Sequence, residues 1–194
     1  MTRQSRADRG RRADAERNIA AILEAGSRLL GDDAGASVAD IAKAAGVGRV
    51  TLYGHFPSRE ALVEAVLAHA VTQADEALAA GFRDDLPAAE ALEALVRSSW
   101  EILDRHSRLF IAADRVLATE QIREHHRQPL QRVEELIRRG QEESGFRDDL
   151  PLSWLVATFF GLVHSAAREV EMGRLDREDA ARVLTSTLLS VLGK

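Results

Sequence analysis

Apolar residues recur three and four positions apart along almost the whole chain. Between Asp14 and Leu30 the face Ile19, Ile22, Leu23, Gly26, Leu29 and Leu30 predicts a helix. The run "GDDAGA" (31–36) interrupts that pattern. "SVADIAKAAG" (37–46) then reads as a compact second helix. Ser37 and Asp40 have capping-box spacing, Gly46 follows the end, and Val38, Ile41 and Ala42 mark the inner face. A tight turn at Gly46–Val47 leads into "GRVTLYGHF" (48–56), where Leu52 and Phe56 share a face four residues apart. Pro57 and Ser58 open a long helix that Gly81 closes.

The same period continues over residues 87–105, 107–118, about 120–143, 151–172 and 177–192, with Pro129 expected to kink or split the third of these. No run of alternating β-branched residues occurs. The expectation is therefore an all-α fold of about nine helices, with an N-terminal three-helix unit and a C-terminal helical body. The heptapeptide "GFRDDLP" stands at 81–87 and again at 145–151, each time between two helices. Gly81 and Gly145 suit the left-handed position after a helix, with Phe82 and Phe146 packing back onto it. The aspartates, with Pro87 and Pro151, suit the start of the next helix. This is junction chemistry rather than an acid/base pair, and the match ends after seven residues.

Composition narrows the function. The chain has no cysteine, which excludes disulfides, thiolate metal sites and a cysteine nucleophile. The start "MTRQSRADRGRR" is basic and followed by no apolar run, so residues 1–12 are expected to be a disordered arm rather than a signal peptide. The uncharged stretch Leu150–Ala167 is broken by Pro151, Ser153, Trp154, Thr158, His164 and Ser165. It predicts a buried helix rather than a membrane span, and a cytoplasmic protein. The net charge of −5 hides an asymmetry: residues 1–56 carry nine Lys/Arg against seven Asp/Glu, and the remainder is acidic. A basic end on an acidic body suggests that this end meets a polyanion. His125 and His126, adjacent in sequence, point to different sides of a helix, and His69 and His106 have no partner at ligand spacing. No metal site, cofactor or nucleophile–base pair is expected, and hence no enzyme.

Three helices with a glycine turn between the second and third are the helix-turn-helix arrangement. The segment "SVADIAKAAGVGRVTLYGHFPSREALVEAVL" resembles the DNA-binding segment of the TetR family of bacterial transcriptional regulators. Its core is carried by Thr51, Leu52, Tyr53, His55, Phe56, Ser58, Arg59, Glu60 and Leu62. The resemblance covers residues 14–70 in detail and is architectural beyond them. It implies that Arg49 and Val50 touch base edges, as a guanidinium on guanine and a methyl contact on thymine. It implies phosphate contacts for Ser37, Thr51, Tyr53, His55 and Arg59, with Gly48 and Gly54 on the same surface. Arg9, Arg11 and Arg12 of the arm are candidates for further phosphate or minor-groove contacts. Gly48 departs from the family, where a serine or other capping residue is common, and Gly54 occupies a variable position. Both shift contact from side chain to backbone.

The resemblance also divides the chain into the arm, a helix-turn-helix domain (13–58), a connecting helix (59–80) and an effector-binding and dimerisation domain (81–194). The helix from 151 has an uncharged second face, Trp154, Thr158, Gly161 and Ser165, which calls for a partner subunit. With the last helix it predicts a four-helix interface built on Thr158, Gly161, Ser165, Leu184, Leu188 and Val191. The candidate effector pocket holds Trp100, Phe110, Arg115, Trp154, Phe159, Phe160 and His164. The function expected is a homodimeric repressor that binds a pseudo-palindromic double-stranded DNA operator and is released by a small-molecule effector. The alternative is a ligand-binding or protein-interaction module whose helix-turn-helix does not read operators.

Overall fold

The computed structural model describes the backbone of residues 3–194 and the side chains of residues 13–194 except those of His106, Thr119 and Arg123. Its elements are α1 (Arg3–Asp32), α2 (Val38–Ala44), α3 (Arg49–His55), α4 (Arg59–Gly81), α5 (Ala88–Asp114), α6 (Thr119–His125), α7 (Arg127–Glu142), α8 (Leu152–Glu171) and α9 (Arg177–Leu192). Among the described residues there is no strand, only an isolated bridge between Phe146 and Gly193. The fold is all-α.

Two boundaries differ from those the sequence predicts. Residues 87–105 and 107–118 form one helix, α5, because nothing between them breaks it and Leu103, Leu109, Ala112 and Ala113 keep a continuous stripe buried. The stretch 120–143 splits at His126, which puts Pro129 in the first turn of α7, where its missing N–H costs nothing. At the N-terminus α1 carries residues 3–12, expected as a disordered arm, as helical backbone. Extending an existing helix adds one hydrogen bond per residue fixed and is far easier than nucleating one. The contacts expected of Arg9, Arg11 and Arg12 lie outside the described side chains.

The two "GFRDDLP" copies do form junctions, but not through left-handed glycines. Gly81 is the last residue of α4 and has no positive φ. It permits close approach of α5, since a Cβ there would lie 2.4 Å from Ser98 Oγ. After α7 the left-handed residue is Ser144 (φ 61°), one position before Gly145, and Gly145 N–H closes the turn on Gly140 O at 3.0 Å. The aspartates act locally: Arg83 forks onto Asp85 and Arg147 onto Asp149 in the same i, i+2 geometry. The guanidinium beside it holds Asp85 at about 2 and pulls Asp149 down as well. Pro87 and Pro151 stand at the caps, just outside the first turns.

Packing divides the molecule into two apolar cores, and the long helices α4 and α5 run through both. One core joins α1–α3 and the first half of α4 to Leu109, Ala112, Leu117 and Ile122 of α5, its C-terminal loop and α6. The other joins the end of α4 and the first half of α5 to α7, α8 and α9 around Phe146 and Phe159. The N-terminal unit thus packs on the C-terminal end of α5. Gly26 sets the closest approach of α1 to α4, where a Cβ would be 2.5 Å from Val66 Cγ2.

Candidate nucleic-acid interface and effector pocket

The recognition surface starts from how α2 and α3 are fixed. Ser37 caps α2 by accepting from Asp40 N–H (3.2 Å), while Asp40 accepts from the Ser37 N–H (3.2 Å) and hydroxyl (2.5 Å). These bonds hold the Asp40 carboxyl below its ordinary range. At the other end Gly46 takes φ 69°, with Gly46 N–H on Lys43 O (3.2 Å) and Val47 N–H on Ala42 O (3.0 Å), a Schellman closure. That turn aims α3 away from α2. Gly48 caps α3 without a side-chain bond, and Leu52 and Phe56 bury its inner side.

The opposite side of α3 is open. Arg49, Val50, Thr51, Tyr53 and Gly54 are exposed and His55 is half-buried; Val50, an apolar side chain, is 88% exposed. A Cβ at Gly54 would meet nothing within 4 Å, so close approach from outside is unobstructed.

Two of the residues expected to hold phosphates are otherwise engaged. Ser37 gives both its donors to Asp40. Arg59, half-buried, donates to Ala36 O (2.6 Å) and Ala34 O (3.2 Å), tying the α1–α2 loop to the start of α4. Its guanidinium satisfies loop carbonyls that no helix can satisfy, so its place is behind the surface. Sequence spacing revealed the motif position of Arg59 but not the carbonyls that surround it.

In the body, a cavity of about 270 Å³ opens between α5, α6, α7 and α8. Phe110, Phe160 and His164, three of the pocket candidates, line it together with Asp114, His126 and Leu130. The His164 ring stacks on Phe110 (4.7 Å, 24°), and His126 meets the same ring edge-on (5.6 Å). The His164 Nδ1 lies 2.9 Å from Ser107 Oγ, and His126 Nδ1 2.7 Å from Ile122 O. Burial holds His164 down at about 4, with His126 pushing the same way; His126 is also lowered, chiefly by burial. Both rings are therefore neutral near pH 7, and among the described residues Asp114 is the one charged side chain lining the cavity.

The other pocket candidates lie elsewhere. Trp100 of α5 and Phe159 of α8 are buried instead in the body core that α5, α7, α8 and α9 share. Arg115 is exposed at the end of α5, and Trp154 is 62% exposed on the outer face of α8. Gly161, expected in the dimer interface, is exposed on that face and also borders the cavity. Thr158 and Ser165 share the outer face. Leu184 and Leu188 do not lie at any outer surface: both are buried in the chain's own core, while along the second half of α9 Ser186 and Ser190 are exposed and Val183, Thr187 and Val191 are half-buried. Among the described residues no group of histidines and carboxylates has metal-binding geometry, and no helix is long and apolar enough to cross a membrane.

Comparison with known proteins fits this geometry. Residues 22–66, which span the capped α2, the turn and α3, match the family model "Bacterial regulatory proteins, tetR family". The helix-turn-helix segment thus carries the family's DNA-binding pattern, and the chain is a DNA-binding transcriptional regulator. Among its relatives, the HTH-type transcriptional repressor LfrR of Mycolicibacterium smegmatis is 25% identical over 91% of this chain and 92% of its own length. The HTH-type transcriptional regulator EthR of Mycobacterium tuberculosis is 48% identical, but over 30% of this chain and 28% of its own. The fold is shared with the crystal structure of LfrR in complex with proflavine (TM-score 0.73, 23% identity, 92% of this chain and 98% of that one). It is shared equally with a TetR-family regulator from Shewanella sp. PV-4 (TM-score 0.73, 21% identity, 91% and 98%).

Proposed function

We propose that the protein is a homodimeric repressor whose two α3 helices enter successive major grooves of a pseudo-palindromic operator, about 34–36 Å apart. The observation that carries this reading is the open face of α3, with Val50 88% exposed in front of a buried Leu52. Residues 13–58 read DNA, residues 59–80 connect, and residues 81–194 dimerise and hold the effector. Arg49 and Val50 contact base edges; Thr51, Tyr53 and His55 hold phosphates; Gly48 and Gly54 let the backbone come close. Ser37 and Arg59 act by fixing α2 and the preceding loop.

The dimer forms through the outer faces of α8 and α9: Thr158, Gly161 and Ser165 with Val183, Thr187 and Val191. The effector enters the cavity beside Phe110. Its walls ask for a planar aromatic molecule that stacks between Phe110 and Phe160, and Asp114 favours a positive charge on it. The proflavine bound by LfrR has this planar aromatic character. Binding there separates α5 from α8 and shifts the population toward a dimer whose α3 helices no longer match the groove spacing. Selection from random duplexes tests the whole reading. It should enrich inverted half-sites one helical turn apart, and proflavine should release them. Enrichment of no motif would favour the alternative, a module without operator reading.

A further inference from the structure

Asp104, on α5, is the one charged residue among those described that is fully buried, at 1% exposure. Its Oδ2 faces two guanidiniums. Arg177, the first residue of α9, donates to it, and Arg108, one turn further along α5, lies 3.8 Å away. Arg108 in turn reaches Asp32, the last residue of α1, at 3.7 Å. Four charges thus alternate in sign from the end of α1, across α5, to the start of α9.

Neither stability nor helix chemistry accounts for this chain of charges. A buried carboxylate loses more on leaving water than its partners return unless its bonding is complete. Here Asp104 Oδ1 and Arg108 Nε are buried without a hydrogen bond among the described residues. Both ends of the chain also oppose their helix dipoles: Arg177 is a cation at a helix N-terminus and Asp32 an anion at a helix C-terminus. Apolar side chains of similar volume would hold α5 and α9 together at least as well. What the charges add is position. The apolar packing of the N-terminal unit on Leu109 and Ala112 is non-directional, whereas each ion pair fixes where one helix end lies on the next.

We propose that Asp104 is a positioning residue for DNA reading: through Arg177 and Arg108 it holds α1, and the recognition unit packed on α1, at a set distance from α9. This inference rests on the dimer through α8 and α9 proposed above. In that dimer α9 lies at the subunit boundary and α3 at the DNA, so the charge chain sets how far apart the two α3 helices stand. Base contacts by Arg49 and Val50 do not depend on it; the match to half-site spacing does.

Changing Asp104 itself would leave two guanidiniums beside a neutral side chain in the core, so the test uses the ends of the chain. The Asp32 and Arg177 side chains are 64% and 56% exposed and can be changed without opening the core. Fluorescence anisotropy of the full chain measures affinity for the operator recovered by selection and for the same duplex with one base pair inserted between its half-sites. Wild type should prefer the unaltered operator. Asp32→Asn and Arg177→Met should each shrink that preference about threefold, the scale of one partly exposed ion pair, by gaining on the lengthened duplex. The double variant should shrink it no further, because either change breaks the same chain. Affinity for a duplex with a single half-site should stay at the wild-type value in every variant, which damage to the fold would not spare. Arg182→Met, which breaks an exposed pair with Asp179 on the same helix, should leave the preference unchanged. An unchanged preference in both single variants, an independent fall of about ninefold in the double variant, or an equal fall in Arg182→Met would overturn the assignment while the dimer stands. A wild-type chain with no spacing preference would overturn the dimer reading, and this assignment with it.

Discussion

Adding one methyl group at Gly54 and at Gly140 should change stability with opposite signs. Both glycines lie in helices with ordinary negative φ, Gly54 in α3 and Gly140 in α7. Alanine gains about 1 kcal/mol of helix propensity over glycine in a helix interior. At Gly54 nothing within 4 Å opposes that gain. At Gly140 the new Cβ would fall 2.1 Å from Phe146 Cδ2, and Phe146 is among the most deeply buried side chains. The ring must leave its site or strain α7, which costs about 1–3 kcal/mol for overpacking, or a comparable amount if the ring is expelled to water. Gly54→Ala should therefore stabilise by about 1 kcal/mol and Gly140→Ala destabilise by up to about 2 kcal/mol after its propensity gain. Urea unfolding at one fixed protein concentration measures both, since the midpoint of the proposed dimer would depend on concentration. A shift of the same sign in both variants would refute the reasoning that space decides the outcome. Gly54→Ala carries a second readout: operator affinity should fall while stability rises, because the methyl stands on the face that approaches DNA.

Acid should weaken the body through His164. Its folded pKa of about 4 lies below the ordinary histidine value, so the unfolded chain binds the extra proton and stability falls as pH drops from about 6.5 toward 4. Between pH 7.5 and 5 the loss should be about 2 kcal/mol from His164, and His164→Gln should flatten that part of a urea-midpoint-against-pH profile. Arg59→Met should cost about 2 kcal/mol by leaving the Ala34 and Ala36 carbonyls without their charged donor, and should weaken operator and random duplex alike. Ser165→Arg, on the outer face of α8, should give monomers in sedimentation with an unchanged helical signal. Leu188→Ala should instead lower stability by about 2–5 kcal/mol, because that side chain fills the chain's own core.

Much of this fold is legible from local physics. The capping box at Ser37, the Schellman turn at Gly46 and the buried pair Leu52 and Phe56 follow from residue types at fixed spacings, and each lies where the spacing puts it. The errors came from phase and from partners distant in sequence. Leu184 and Leu188 read as an apolar stripe, but periodicity alone does not say whether the stripe meets the chain's own α5 and α8 or a second subunit. Arg59 matched a motif position, yet its role is set by two carbonyls more than twenty residues earlier. His126 reads in sequence as half of an adjacent pair; the break before α7 turns its ring toward Phe110, where three helices meet. The shift from Gly145 to Ser144 shows the same limit in miniature: the turn was predictable, and the residue bearing its positive φ depended on where α7 stopped.

The central claim is that α3 reads base sequence through Arg49. Fluorescence anisotropy with the selected operator and a scrambled duplex, each titrated with wild type and Arg49→Ala at two salt concentrations, tests it most directly. Wild type should keep its preference for the operator as salt rises, while Arg49→Ala should lose about 1–3 kcal/mol on the operator and little on the scrambled duplex. Equal losses on both duplexes, or unchanged operator affinity, would contradict the claim.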